Sequence, residues 1–502
     1  MKKRIKNCLV TAVLFIAFGG FLACSAEKET PQNLTVKGLA ISTNKIDFPN
    51  TESNADLTIN SEVTAWLLQS SDASWVKISK AGGTTGATVV KVTALENTKT
   101  TARTAVITLT SNEAKSLQIT VTQAAAVAID GTYPSYNTNP IVADATGMSS
   151  TAVQLAAKMK LGWNIGNTME ATGGETAWGN PKVTKQLIDL VKANGFNAIR
   201  IPCSWNQYLA NAEKAQIQTV WLARVKEVVQ YCVDNDMYVI VNIHWDNGWL
   251  ENNVTEAKKD ENNAKQKAFW EQIATHLRGF DEHLLFASAN EPNVENATQM
   301  AVLTSYHQTF IDAVRSTGGK NAYRNLIIQG PSTDIEKTKN LMTTLPTDKV
   351  ANRMMAEVHY YTPYQFCLMN KDEDWGKMFY YWGANYHSTT DPTRNSSWGE
   401  ETDLDNFFLS MKTKFVNNGI PVILGEFGAI KRSNLTGADL ALHLESRAYF
   451  LKYVVKQATA NGLVPFYWDA GNLGVNTMSL FDRSNNTVYD AEALKALNDG
   501  LK

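Results

Sequence analysis

These 502 residues predict an α/β chain built on an eight-stranded (β/α)8 barrel, with a small β-sandwich in front of it. Three observations carry that expectation. From about residue 150 onward, eight short apolar runs alternate with amphipathic segments, the order expected of a parallel barrel. Before them lies a stretch rich in Thr, Ser and Val with a period of two, the mark of strands with one buried face. Two of the apolar runs, Leu284–Pro292 and Pro421–Gly428, carry a glutamate near their ends, Glu291 and Glu426. A carboxylate there is costly to desolvate and needs a reason.

The chain opens with Lys2, Lys3, Arg4 and Lys6, followed by the apolar stretch Leu9–Leu22. A basic segment and then an apolar one read as an export signal, residues 1–23. Phe21-Leu22-Ala23-Cys24 resembles the bacterial lipoprotein box, which implies that Cys24 is acylated. Several acyl chains on one cysteine make a firm anchor where a single chain binds only marginally. Ser25 after the cysteine resembles outer-membrane sorting, and Glu27 and Glu29 resemble a surface-export cue. The expectation is a monomer, lipid-anchored to the cell outer membrane and facing the surface. Residues 24–35 read as a polar tether. Cys203, Cys232 and Cys367 allow one disulfide at most, so this is not a disulfide scaffold. A net charge of −2 without a basic block past the signal argues against a nucleic-acid partner.

The sandwich is expected over residues 36–124. Thr104–Thr110, Leu117–Thr122 and Ala87–Val92 are its clearest strands, with turns at Gly82-Gly83 and Ser111-Asn112-Glu113. Trp75 is expected to plug its core. Trp75-Val76 and the closing strand Leu117–Gln123 resemble the BACON domain, a small immunoglobulin-like module of secreted Bacteroidetes proteins. That resemblance implies a stand-off or adhesion role. With Trp66 and Trp75 its only tryptophans, a spacer is the expected role rather than a sugar-binding module.

Residues 125–149 read as linker and approach to the barrel, and residues 150–502 as the barrel itself. Its strands are expected at Leu161–Gly166, Ala198–Pro202, Tyr238–His244, Leu284–Asn290, Leu326–Gly330, Met354–His359, Val422–Gly425 and Val464–Trp468. Amphipathic helices are expected at Thr184–Ala193, Val220–Asn235, Lys265–Leu277, Thr304–Ser316, Asp403–Asn417 and Ser446–Asn461.

In such a barrel the chemistry sits where strands finish. The endings here are Arg200, His244-Trp245-Asp246, Asn290-Glu291-Pro292, His359-Tyr360-Tyr361, Glu426 and Trp468-Asp469. Six coincident polar or aromatic endings point to a cleft rather than to packing. Two carboxylates across a cleft are the minimum equipment for breaking a glycosidic bond. At about 5–5.5 Å apart they act by double displacement with retention. Arg200 is expected to pull the Glu426 pKa down, as a nucleophile requires, and Tyr361 to donate to the same carboxylate. Asn290 is placed to bind a sugar 2-hydroxyl, His244 and His359 to orient the pair, and Trp468 to form a stacking floor.

Arg200, His244, the Asn290-Glu291-Pro292 triplet, His359 with Tyr361, Glu426 in Gly-Glu-Phe-Gly, and Trp468 together resemble glycoside hydrolase family 5, a TIM-barrel family. Gly162–Thr168 and Trp468-Asp469 resemble its subfamily 4 of endo-β-1,4-glucanases. The resemblance spans about residues 150–500. It implies Glu291 as acid/base, Glu426 as nucleophile, and neither metal nor cofactor. Trp245 stands where many subfamily members carry a second histidine, a change expected to alter a sugar contact.

The 13 Trp, 17 Tyr and 18 Phe leave room for aromatic platforms. Asn167, Trp245 and Trp249 are candidate sugar contacts, and the long segment from Thr362 to Glu401 adds further aromatics. A wide aromatic cleft suits a branched polymer, so xyloglucan is the expected substrate. The alternatives are mixed-linkage β-glucan, soluble cellulose, or a surface lipoprotein that binds glycan without cutting it.

Overall fold

The computed structural model describes residues 38–97, 99, 101–125 and 133–502. The export segment, Cys24 and the tether lie outside the described residues. The chain forms two compact units that divide between residues 128 and 129.

The first unit is a sandwich of two sheets. One orders Leu39–Ile41, Ser53–Ser61, Gly86–Ala94 and Val76–Ile78; the other orders Lys45–Phe48, Leu117–Gln123, Arg103–Thr110, Trp66–Ser70 and Gly82–Gly83. Pairing is antiparallel except between Lys45–Phe48 and Leu117–Gln123. Period-two patterning puts Ala105, Ile107 and Leu109 of one strand in the core with Ile119 and Val121 of the next. Trp66 and Trp75 are both buried, and the Arg103 guanidinium lies 4.4 Å from the Trp75 ring. Neither is available as a surface platform for sugar.

The second unit is a closed parallel barrel of β1 (Gly162–Ile165), β2 (Ala198–Ile201), β3 (Tyr238–Asn242), β4 (Leu284–Ala287), β5 (Leu326–Gln329), β6 (Met354–Tyr360), β7 (Val422–Phe427) and β8 (Leu463–Asp469). All eight apolar runs became barrel strands. The β4 run was expected to reach Asn290, yet the strand ends at Ala287, and residues 288–290 turn across the top. All six expected helices form. Those at Lys259–Leu277, Ala297–Ser316 and Gly437–Ala460 begin six to nine residues earlier than their apolar period implies, because their first turns are polar or small. Helices at Ile335–Leu341 and Ala491–Asp499 were not anticipated.

The barrel interior is layered. At its amino end Ala198, Ile240, Leu285, Ile327, Met355, Ile423 and Phe466 meet the helix Ala152–Lys158, whose Ala152, Leu155 and Ala156 close the floor. A Thr151–Gln154 capping box starts that helix. Two residues further along the strands the series changes to Arg200, Asn242, Gln329 and Glu357, all fully buried. The apolar layer supports a polar one, and the polar one faces the cleft.

Most of the long Thr362–Glu401 segment is packing. Phe366, Phe379, Tyr381 and Trp382 are buried; Trp382 donates to the Gly399 carbonyl at 2.7 Å and packs edge-on against Phe450. Tyr364, Trp375 and Trp398 stay exposed. Cys203, Cys232 and Cys367 are free and buried. No helix among the described residues is long and apolar enough to cross a membrane.

Candidate active site

Glu426 lies on β7, where Gly425 keeps the inward position before it clear. A Cβ on Gly425 would overlap the Glu357 carboxylate. Arg200 Nη1 donates to Glu426 Oε1 at 2.8 Å, and the Tyr361 hydroxyl donates to Oε2 at 3.0 Å. Arg200 is itself fixed on every side. Nη1 also reaches Asn164 Oδ1 at 3.0 Å, and Nη2 reaches Asn290 Oδ1 at 2.7 Å. Its Nε stands 3.0 Å from Glu357 Oε1, an ion pair in which the N–H is not aimed well enough to count as a hydrogen bond.

Glu291 sits beyond the end of β4. His359 Nδ1 lies 2.7 Å from its Oε1, and Thr333 donates weakly at 3.5 Å. Its backbone N–H donates to Glu251 Oε1 at 2.6 Å. The other ring nitrogen of His359 lies 3.2 Å from Glu357 Oε1. One oxygen of Glu291, one of Glu426 and a ring nitrogen of His359 all lie within 4.8 Å of one another. Such a trio has the donor set of a metal site, but Arg200 and His359 already bring the positive charge to it.

Burial and charge oppose each other here. Burial pushes the Glu291 carboxyl up, but the hydrogen bond and charge of His359, with Arg200, outweigh it and hold it below the usual range. Glu426 goes the other way: burial outweighs His359 and Arg200 and leaves it raised. Arg200 therefore pulls as expected but does not prevail. His359 loses proton affinity through burial and regains more from Glu426, Glu291 and Glu357, ending at about 10. Glu251 is pushed up to about 7 by burial.

The other candidates divide. His244 is kept neutral by burial and stacks on Trp468, centroids 5.8 Å apart and planes 11° from parallel. Its Nδ1 faces the Asn242 side-chain amide at 3.3 Å, so an amide donor there leaves the proton on Nε2. Asn290 holds its carbonyl toward Arg200, which turns its NH2 toward Glu251. Asn167 ends β1 in a left-handed turn, φ 57°, its N–H taken by Glu170. Trp245 is exposed at the rim. Trp249 is not. Its indole N–H donates to Asp246 at 2.9 Å, its ring packs on Phe269, and Lys265 covers it, so it serves packing rather than sugar.

Sequence reasoning missed Glu357 and Glu251. Glu357 carried the same signal as Glu426, a carboxylate inside the apolar run Met354–His359. Glu251 carried none, because it lies in a short turn that only tertiary packing buries.

A pair of carboxylates this close, at the carboxyl ends of barrel strands, defines a two-carboxylate glycosidase of the retaining kind. Residues 164–474 match the family model for cellulase (glycosyl hydrolase family 5), and residues 64–124 match the BACON N-terminal binding-domain model. The chain belongs to glycoside hydrolase family 5. It is 36% identical to the xyloglucan-specific endo-beta-1,4-glucanase of Bacteroides ovatus, covering 99% of this chain and 97% of that one. A Bacteroides ovatus xyloglucanase structure with an XXXG heptasaccharide superposes with a TM-score of 0.68 at 35% identity, over 92% of this chain and 100% of the other. A broad-specificity endoglucanase of subfamily 4 from Bacteroides salanitronis gives 0.63 at 32% identity, over 72% and 98%.

Proposed function

We propose that the chain cuts the β-1,4-glucan backbone of xyloglucan from within, with Glu426 as nucleophile and Glu291 as acid/base. The observation that carries the mechanism is the spacing of the two carboxylates, too short to admit an attacking water between them and the sugar. Glu426 bonds to the anomeric carbon as the glycosidic C–O bond breaks, and the bonding pair leaves with the departing oxygen. That oxygen takes a proton from the Glu291–His359 pair. Water then gives a proton back to Glu291, attacks the anomeric carbon and frees Glu426. Glu291 lies low in the free enzyme, and its partner His359 holds the proton that the first step needs. Trp468 is the floor under the sugar at the cut, His244 holds that floor, and Asn290 meets the 2-hydroxyl.

The choice of xyloglucan is supported by the near full-length similarity to the Bacteroides ovatus enzyme and by exposed Trp245, Tyr364 and Trp375. The broad-specificity relative keeps mixed-linkage glucan and soluble cellulose as the second reading. Initial rates on xyloglucan, barley β-glucan and carboxymethyl cellulose decide between them, with xyloglucan expected fastest. Glu426→Gln is expected to lose at least on the order of 10³-fold in kcat while still binding xyloglucan. Retained hydrolysis in that variant would remove Glu426 from the role.

The anchor belongs to the same reading. Cys24 is acylated and holds the enzyme on the outer membrane, the sandwich spaces it from the lipid, and the enzyme works as a monomer. Cys24→Ala is expected to move the protein from the membrane fraction to the soluble one.

A further inference from the structure

Glu357 is a carboxylate with no route to substrate. It is fully buried on β6, two residues before His359. It is faced by Arg200 from β2, Gln329 from β5, His359 on its own strand, and Gly425 and Glu426 from β7, with Glu291 beyond His359 and neutral His244 beyond Arg200. Its Oε1 meets both Arg200 Nε at 3.0 Å and His359 Nε2 at 3.2 Å, and Gln329 donates to Oε2 at 2.5 Å. The groups alternate in sign: Glu426, Arg200, Glu357, His359, Glu291. The contacts between neighbours run 2.8, 3.0, 3.2 and 2.7 Å. Glu357 is the middle of a chain that joins the two reacting carboxylates.

We propose that Glu357 is a positioning residue that fixes the His359 tautomer and thereby keeps the transferable proton on the Glu291 side of the ring. The proposal rests on the acid/base reading of Glu291. A buried carboxylate already taken up by a guanidinium and an amide is an acceptor only, so Nε2 of His359 must carry hydrogen. That leaves Nδ1 as the only ring position whose proton can leave. At 2.7 Å one proton lies between Nδ1 and Glu291 Oε1, as imidazolium beside carboxylate or as imidazole beside carboxylic acid. Either form delivers it to the departing oxygen through Glu291 while Glu426 takes the anomeric carbon. Without the negative charge on Glu357, the neutral ring is free to hold its proton on Nδ1 and leave Nε2 bare. Glu291 is then an unprotonated carboxylate beside a ring N–H that is no longer acidic. Burial alone would raise Glu357; Arg200, then His359 and Gln329, hold it in the ionised form that the role requires.

The test uses Glu357→Gln and Glu291→Ala in the full chain, on two substrates. One is xyloglucan, whose departing sugar needs a proton. The other is a cello-oligosaccharide with a 2,4-dinitrophenyl leaving group, which departs without one. Glu357→Gln is expected to lower kcat/KM on xyloglucan by about 10²-fold or more, and on the activated substrate by less than about tenfold. The basic limb of its pH profile is expected to move to lower pH. Equal losses on both substrates with an unmoved basic limb would overturn the proposal. Glu291→Ala separates this from failure of the underlying reading: equal losses there remove Glu291 as the acid, whatever Glu357 does. Should Glu357→Gln not fold, neutron diffraction of the wild type gives the answer. Hydrogen on His359 Nε2 is expected, and a bare Nε2 with hydrogen on Nδ1 would overturn the proposal.

Discussion

Glu251 makes the first contribution at the scale of single residues. Its side chain accepts the backbone N–H of Glu291, and its carbonyl accepts the N–H of Asn293 at 2.9 Å, so one residue clamps the turn that carries Glu291. Its carboxyl, raised to about 7, gives a signed prediction. A carboxyl raised on folding has its stability whole below about 4.5 and loses it as pH climbs through 7, here roughly 3 kcal/mol. Glu251→Gln keeps the acceptor and removes the charge. Relative to wild type, it is expected to gain stability between pH 5 and pH 8 in urea titrations; a difference that stays constant with pH would count against this. Glu426 bears on activity instead. Raised by burial, it is expected to set an acidic limb of kcat/KM above the usual carboxylate range, and a pH–rate profile whose acidic limb lies within that range would count against this. The paired glutamates of the cluster, Glu291 and Glu426, were legible because a carboxylate in an apolar run conflicts with burial. Glu357 obeys the same rule but lies inside its strand, short of the end where the chemistry of a barrel sits. Glu251 was illegible in principle, since a turn has no period from which burial can be read.

At the scale of elements, β7 and the long segment after β6 are the places to push. Gly425 is small because Glu357 fills the space beside it, so Gly425→Ala is expected to cost about 1–3 kcal/mol and to disturb Arg200 and His359 together. Thermal unfolding with kcat on the same preparation checks both effects. The segment Thr362–Glu401 contains two kinds of tryptophan. Trp382, buried against Phe450, is expected to cost about 3–5 kcal/mol on truncation to Ala. Trp375, exposed and 6.1 Å from Tyr364, is expected to leave stability within about 0.5 kcal/mol and to raise KM for xyloglucan. Composition could not sort these residues, because an aromatic on a core face and one on a cleft face look alike in a loop. Strand positions were legible for a simpler reason: eight apolar runs separated by helical crossovers pair in chain order around a closed parallel barrel. Helix starts were less so, since Asn296 and Thr436 begin helices whose first turns hold little apolar surface.

The molecule as a whole adds its titrations. Burial keeps His244, His307 and His443 neutral, the last two down to about 4 and about 3, so acidification below about 6.5 favours the unfolded chain. Glu170 and Glu251, both raised to about 7, oppose that trend between about 4.5 and 7. His359, raised to about 10, contributes fully below about 6.5 and is lost as pH rises through 10. The melting temperature is therefore expected to stay nearly flat from about pH 5 to 6.5 and to fall clearly by pH 9. A melt that keeps rising to pH 9 contradicts this ledger. The two-unit organisation was legible from a shift in composition near residue 125; the sealing helix Ala152–Lys158 was not, because seven residues of Ala, Val, Gln, Leu and Lys look like linker. That helix has a consequence for traffic. With the interior filled by strand side chains such as Ile240, Ile327 and Phe466 and the bottom closed by Ala152, Leu155 and Ala156, no glucan strand can thread the barrel axis. A polymer has only the open top to lie across, like a rope over a trough, with both ends free. It can be seized anywhere along its length, and after the cut both halves can lift away without either having to be pulled through.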